Sequence, residues 1–176
     1  MHKHFFTSVL ILSFMLSHVA FAQIKTQEQI DAESGLEWHT NLQEVYELQQ
    51  KTHKPIFAFF TGSDWCGWCI RLQRDVFSKP EFVAWARQNV ILLELDFPRR
   101  KQLPQELQQQ NNNLQQALQI TGYPTVWLLV INKNDSTNSF NLSTLGSLGY
   151  PRAEPGKEAE TFLAEANRIM ALAKPQ

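Results

Sequence analysis

Only two cysteines, Cys66 and Cys69, occur in the 176-residue chain, and that scarcity removes several kinds of chemistry at once. A cysteine-ligated iron–sulfur cluster needs about four thiolates. Covalent haem attachment needs a His directly after Cys-x-x-Cys, and here Ile70 follows Cys69. A framework of structural bridges is excluded, because no further cysteine remains to build one. Once an N-terminal segment holding His2, His4 and His18 is removed, a closed zinc site would have to recruit His39 and His53, neither of which sits in a ligand motif. Charge of one sign is scarce too. From Gln23 onward, 15 basic residues face 17 acidic ones, a formal charge of −2. That balance argues against nucleic acid and against a strongly charged substrate. A membrane-length apolar run is also missing, since Val9-Leu10-Ile11-Leu12-Ser13-Phe14-Met15-Leu16 falls short of the roughly 20 residues a spanning helix requires.

What the N-terminus does hold is a basic start at His2-Lys3-His4, this short apolar stretch, and a small-residue site at Ala20-Phe21-Ala22. The pattern reads as a secretory signal peptide over residues 1–22, with one exported domain over residues 23–176 that is periplasmic or extracellular. No cysteine follows the cleavage site, so nothing points to a lipid anchor, and after cleavage the protein is not expected to be integral to a membrane. In an oxidising compartment a disulfide persists, so a thiol pair acting there as a reductant needs a redox partner to recycle it.

The two cysteines lie three residues apart in Thr61-Gly62-Ser63-Asp64-Trp65-Cys66-Gly67-Trp68-Cys69. Before them, Pro55-Ile56-Phe57-Ala58-Phe59-Phe60 is short, aromatic and punctuated at both ends, as a buried strand is. After them, Ile70, Leu72, Val76 and Phe77 recur at about helical spacing. Cys66 is therefore expected at a helix N-terminus, where unpaired N–H groups and the helix dipole favour a thiolate. Such a pair can exchange disulfides in two steps, Cys66 attacking and Cys69 resolving, in either direction. A purely structural bridge is the plainer alternative, although closing so small a loop is worth only about 2 kcal/mol.

Trp65-Cys66-Gly67-Trp68-Cys69, followed some way on by Gly122-Tyr123-Pro124-Thr125, resembles the thioredoxin superfamily, and the Thr-Gly-Ser-Asp lead-in resembles its secreted single-domain branch. The resemblance runs from about Trp38 to the C-terminus. It implies an α/β thioredoxin fold: a central mixed sheet flanked by helices on both faces, here with an extra N-terminal helix. It also implies Cys66 as nucleophile, Cys69 as resolving thiol, and Pro124 as a cis-proline beside them. A cis bond is accessible mainly before proline, where it costs about 0.5–1 kcal/mol. The implied substrate-contacting residues are Trp65, Gly67, Trp68, Tyr123 and Pro124. The partners are protein disulfides or dithiols and a recycling redox protein; no organic cofactor or metal is called for beyond the Cys66–Cys69 disulfide itself. Two departures stand out. The strand before the motif carries no acid, and Gly67-Trp68 replaces the Gly-Pro of ordinary thioredoxins, which leaves the direction of electron flow open. A polypeptide-binding, chaperone-like module keeping the cysteines as an inert bridge is the alternative of a different class.

For the remaining chain, periodicity predicts a helix over 37–52, and a second helix from Pro80 after the active-site helix. Val90 to Leu95 reads as a central strand. Asp96 is expected at a strand end facing solvent or an Arg, and Asp64 is expected to cap the active-site helix. The Gln- and Asn-rich segment 97–113 reads as a solvated loop or weak helix, and Leu114, Leu118 and Ile120 as a short helix. Thr125 to Ile131 and Ser139 to Leu145 form a hairpin, Gly146 breaks the chain, and a helix carrying Phe162, Leu163, Ala166, Ile169 and Met170 closes the fold. Asn141-Leu142-Ser143 is a formal glycosylation sequon. His39 and His53 are expected as surface or capping residues.

Overall fold

The computed structural model describes residues 35–134 and 139–172. The expected signal peptide, the polar lead-in before Gly35 and the tip of the hairpin turn lie outside the described residues. The elements run β1 (Trp38–His39), α1 (Leu42–Thr52), β2 (Ile56–Thr61), α2 (Gly67–Leu72) with a wider π turn at Gln73–Phe77, α3 (Pro80–Asn89), β3 (Ile91–Asp96), α4 (Gln105–Ala117), β4 (Thr125–Asn134), β5 (Ser139–Leu148) and α5 (Glu158–Leu172). The sheet order is β1-β3-β2-β4-β5. The β1–β3 and β3–β2 pairs are parallel, whereas β4 and β5 join antiparallel. This is the mixed sheet that the resemblance implied.

β2 lies at the centre, and all its residues are buried. Because side chains alternate along a strand, Phe57 and Phe59 enter one layer, and Ile56, Ala58 and Phe60 the other. A strand covered on both faces has no solvent side to make polar, which is why the run reads as uniformly apolar. The first layer holds Cys66 and Cys69 with Leu72 of α2, Phe82 of α3 and Phe162 of α5. The second is closed by Val45 of α1 and Leu114 of α4. The π turn puts the adjacent residues Val76 and Phe77 into the core together.

Three expectations are corrected. The first helix begins at Leu42, not at 37, because Trp38 and His39 pair with Leu92 and Leu93 of β3, and the Asn41 carboxamide accepts the Glu44 N–H to start the helix. Of the two readings of segment 97–113, the loop holds only up to Pro104: a helix, α4, begins at Gln105 and runs on through Leu114, while Ile120 lies beyond its end. Two of its amides bond backbone, Asn111 donating to the Asp96 carbonyl at 3.0 Å and Gln110 accepting the Leu42 N–H at 2.8 Å. Finally, β5 continues through Gly146 to Leu148. A Cβ at residue 146 would stand 2.8 Å from Ile169 of α5, so glycine permits the helix to close on the strand. An irregularity in β5 opposite Leu128 and Leu129 exchanges its faces, so Phe140 and Leu142 serve one layer and Leu148 the other.

Gln49 of α1 substitutes for a missing strand. β2 begins at Ile56 opposite Leu129, so Ile131 of β4 has no strand partner on that side. The buried Gln49 carboxamide donates to the Ile131 carbonyl at 2.8 Å and accepts the Ile131 N–H at 2.9 Å. Gln49→Met leaves both backbone groups dry and unpaired, and the expected loss is about 2–4 kcal/mol in urea unfolding. A loss below about 0.5 kcal/mol would mean that water replaces the amide.

Candidate active site

The end of β2 delivers the chain into a tight loop before α2. The N–H groups of Trp65 and Cys66 donate to the Gly62 carbonyl at 3.2 and 2.8 Å. Gly62 has no room for a side chain, since a Cβ would come within 2.4–2.8 Å of the Trp65 indole. Cys66 occupies the N-cap position of α2 and its Sγ accepts the Cys69 N–H at 3.2 Å. A helix N–H aimed at this sulfur favours the thiolate once the bond opens. Cys66 and Cys69 are joined by a disulfide, Cys66 nearly buried and Cys69 fully so.

A second loop, between β3 and α4, is fastened to this one. Asp96 is buried and meets neither of the partners expected for it, solvent or an Arg. Its carboxylate accepts the Ser63 N–H at 2.8 Å and the Ser63 hydroxyl at 2.7 Å, and pairs with Lys101 at 3.0 Å. Asp64 does not cap α2, because Cys66 already holds that position. The Asp64 carboxylate instead accepts the backbone N–H groups of Arg99 and Arg100. These donors, Arg99 first, hold its carboxyl below the usual aspartate range against the opposing effect of desolvation. Trp65 completes the connection, donating Nε1–H to the Phe97 carbonyl at 2.8 Å.

Of the residues implied to meet substrate, Trp68 is 54% exposed and Gly67 is also exposed, while Trp65, Tyr123 and Pro124 are half-buried. The Tyr123–Pro124 bond is cis. Tyr123 meets Trp65 edge-on with centroids 5.7 Å apart, which brings the proline turn alongside the cysteine loop. The two indoles serve different neighbours. Trp65 lies between Tyr123 and Arg99, whereas Trp68 packs edge-on against Tyr150 and carries Arg71 over its ring. The Tyr150 hydroxyl donates to Asp75 at 2.8 Å. The Arg74 side chain and then this hydroxyl lower the Asp75 carboxyl, while burial raises the Tyr150 phenol. His39 is a further correction: it is buried in β1 with Nδ1 3.0 Å from the Glu44 carboxylate. His53 does cap α1, in the left-handed region at φ 57°.

Sequence reasoning missed Tyr150 and the Asp96–Ser63 contact, and read Arg99 only as part of a solvated basic run. Each is brought in by a loop whose path no periodicity records. The one available signal was the basic run at 99–101 beside the end of a central strand.

Residues 37–130 match the thioredoxin-like family. The disulfide bond reductase DsbH of Chlamydia pneumoniae is 39% identical over 93 residues, 53% of this chain and 55% of that protein. The thioredoxin-related protein DsbJ of the same organism is 25% identical over 165 residues, 94% of this chain and 45% of that protein. This chain thus spans about half the length of the curated relatives it matches. Among solved structures, a DsbH oxidoreductase superposes with a TM-score of 0.64 at 28% identity, covering 78% of this chain and 85% of that one. A thioredoxin from Thermus thermophilus gives 0.54 at 16% identity, covering 77% and 87%, a likeness of fold alone.

Proposed function

This chain belongs to the thioredoxin-like family, and from that membership and the site geometry we propose that it is an exported thiol-disulfide oxidoreductase acting on polypeptide disulfides. The observation that carries the reading is the Cys66–Cys69 disulfide at the start of α2, with the nucleophilic sulfur accepting a helix N–H. In the reductive direction, the Cys66 thiolate attacks one sulfur of a substrate disulfide and the other substrate sulfur leaves as a thiol. Cys69 then attacks Cys66 in the mixed disulfide. The substrate departs with two electrons and two protons gained, and the protein is left oxidised. A dithiol donor must reset it. Similarity to a protein named as a disulfide bond reductase supports this direction. The composition of residues 1–22 supports export to a periplasmic or extracellular space. Among the described residues no helix is long and apolar enough to cross a membrane.

Trp65, Gly67, Trp68, Tyr123 and Pro124 form the proposed docking edge, on which an extended polypeptide is held against Cys66. An exposed indole offers large contact area at small entropic cost. Trp68→Ala is expected to raise KM for a disulfide-bonded polypeptide about five- to twentyfold, the range of an aromatic contact worth roughly 1–2 kcal/mol, with little change in the rate toward a small disulfide. Unchanged KM with an intact fold removes Trp68 from the docking edge.

A further inference from the structure

Net charge predicted indifference to charged substrates, yet the charge around Cys66 is not arranged like the net charge. Two guanidinium groups, those of Arg71 and Arg99, are exposed beside the cysteine loop and make no ion pair among the described residues. The acids at the rim are engaged elsewhere. Asp64 accepts the amides of Arg99 and Arg100 and faces the Arg100 charge, Asp96 binds Ser63 and Lys101, and Asp75 binds Arg74 and Tyr150. The charges of Glu158 and Glu94 bear on Arg74 and Lys101.

Both cations lie over indoles of the cysteine motif. The Arg99 Cζ stands 3.8 Å over the Trp65 ring, and the Arg71 Cζ stands 4.9 Å over the Trp68 ring. Trp65 immediately precedes Cys66, and Trp68 immediately precedes Cys69. Stacking occupies the flat face of a guanidinium and leaves its in-plane N–H fork directed outward, which suits a carboxylate. On the Arg99 side the position is anchored by the backbone itself, because Asp64 accepts the Arg99 N–H at 3.0 Å.

Resting on the oxidoreductase reading, we propose that Arg99 and Arg71 are specificity-determining residues, and that the preferred substrates are polypeptide disulfides with Asp or Glu beside the reacting cysteine. The indoles hold the chain and the arginines select its flanking charge. A carboxylate on either side of the substrate sulfur meets a guanidinium already placed, so little side-chain freedom is lost on binding. Basic flanks meet like charge, which builds rejection into the same surface.

The test uses two synthetic peptide disulfides that differ only in having Glu or Lys beside the cysteine. Their kcat/KM is measured at low and high salt for the natural protein, the Arg71→Gln/Arg99→Gln double variant, and Lys51→Gln on α1 as a control. The natural protein and the control should favour the Glu peptide by about tenfold at low salt and by about twofold or less at high salt, as expected for exposed charges. In the double variant the preference should fall to about twofold or less, the Glu peptide slowing and the Lys peptide speeding up, with a small disulfide little affected. Equal turnover of both peptides by the natural protein overturns the inference and leaves the oxidoreductase reading standing. A preference that survives the double substitution overturns it, and so does an equal slowing of all substrates, which would mean that the arginines act on Cys66 and not on substrate choice. No turnover of any disulfide overturns the oxidoreductase reading and this inference with it.

Discussion

Cys66→Ser is expected to abolish turnover of polypeptide disulfides, while Cys69→Ser accumulates the protein covalently bonded to its substrate. The asymmetry follows from position. Cys66 caps α2 and its sulfur accepts a helix N–H, so it is the sulfur that gains as a thiolate, whereas Cys69 is fully buried one turn on. Without Cys66 no mixed disulfide forms. Without Cys69 the first step proceeds and the intermediate has no internal thiol to resolve it. Intact-mass measurement after mixing with a disulfide-bonded polypeptide separates the two variants: an adduct for Cys69→Ser and none for Cys66→Ser. The inert-bridge alternative predicts that polypeptide binding survives both substitutions and that neither variant forms an adduct. An adduct on Cys66→Ser and none on Cys69→Ser would reverse the assigned roles.

The largest expected effect on stability belongs to Phe57→Ala. Phe57 is fully buried in the centre of β2, with ring centroids 5.5 Å from Phe77, 5.6 Å from Phe82 and 6.1 Å from both Trp38 and Phe162. Its neighbours come from β1, the π turn, α3 and α5, so no single one can move to fill the space. Truncation should cost about 3–5 kcal/mol, a large share of the roughly 5–15 kcal/mol by which domains are stable. Phe57→Leu, which keeps most of the volume, should cost less than half as much. Urea unfolding with unchanged m values reads both. A loss under about 1.5 kcal/mol for the alanine variant would show that this layer repacks freely.

The parts of the fold legible in sequence were those carried by local pattern. β2 could be read because burial on both faces makes its run uniformly apolar, and α5 because Phe162, Ala166 and Ile169 recur on one face. The cysteine motif was legible because both sulfurs of the disulfide lie within one helical turn. What escaped depended on partners distant in sequence. Nothing near His39 announces that Trp38–His39 will pair with β3, and the Gln- and Asn-rich run looks solvated until Asn111 and Gln110 find backbone groups to bond. Asp64 is the most instructive case. Its spacing before the helix fits a cap, but Cys66 fills that role, and the carboxylate turns to a loop 35 residues away. The same contact holds the Arg99 backbone beside the Trp65 rim, so the detail that local rules misread bears directly on the site.

The most direct test of the redox assignment is the equilibrium between Cys66–Cys69 and its dithiol form in glutathione and dithiothreitol buffers, followed by alkylation and mass spectrometry of the purified protein. The account predicts a single reversible two-electron transition toward the thioredoxin end of the scale, about −270 mV, as a reductase requires. A transition near −120 mV would contradict the reductive direction and make the protein a disulfide donor. A pair that stays oxidised in every buffer would contradict the redox assignment itself and leave Cys66–Cys69 a structural bridge.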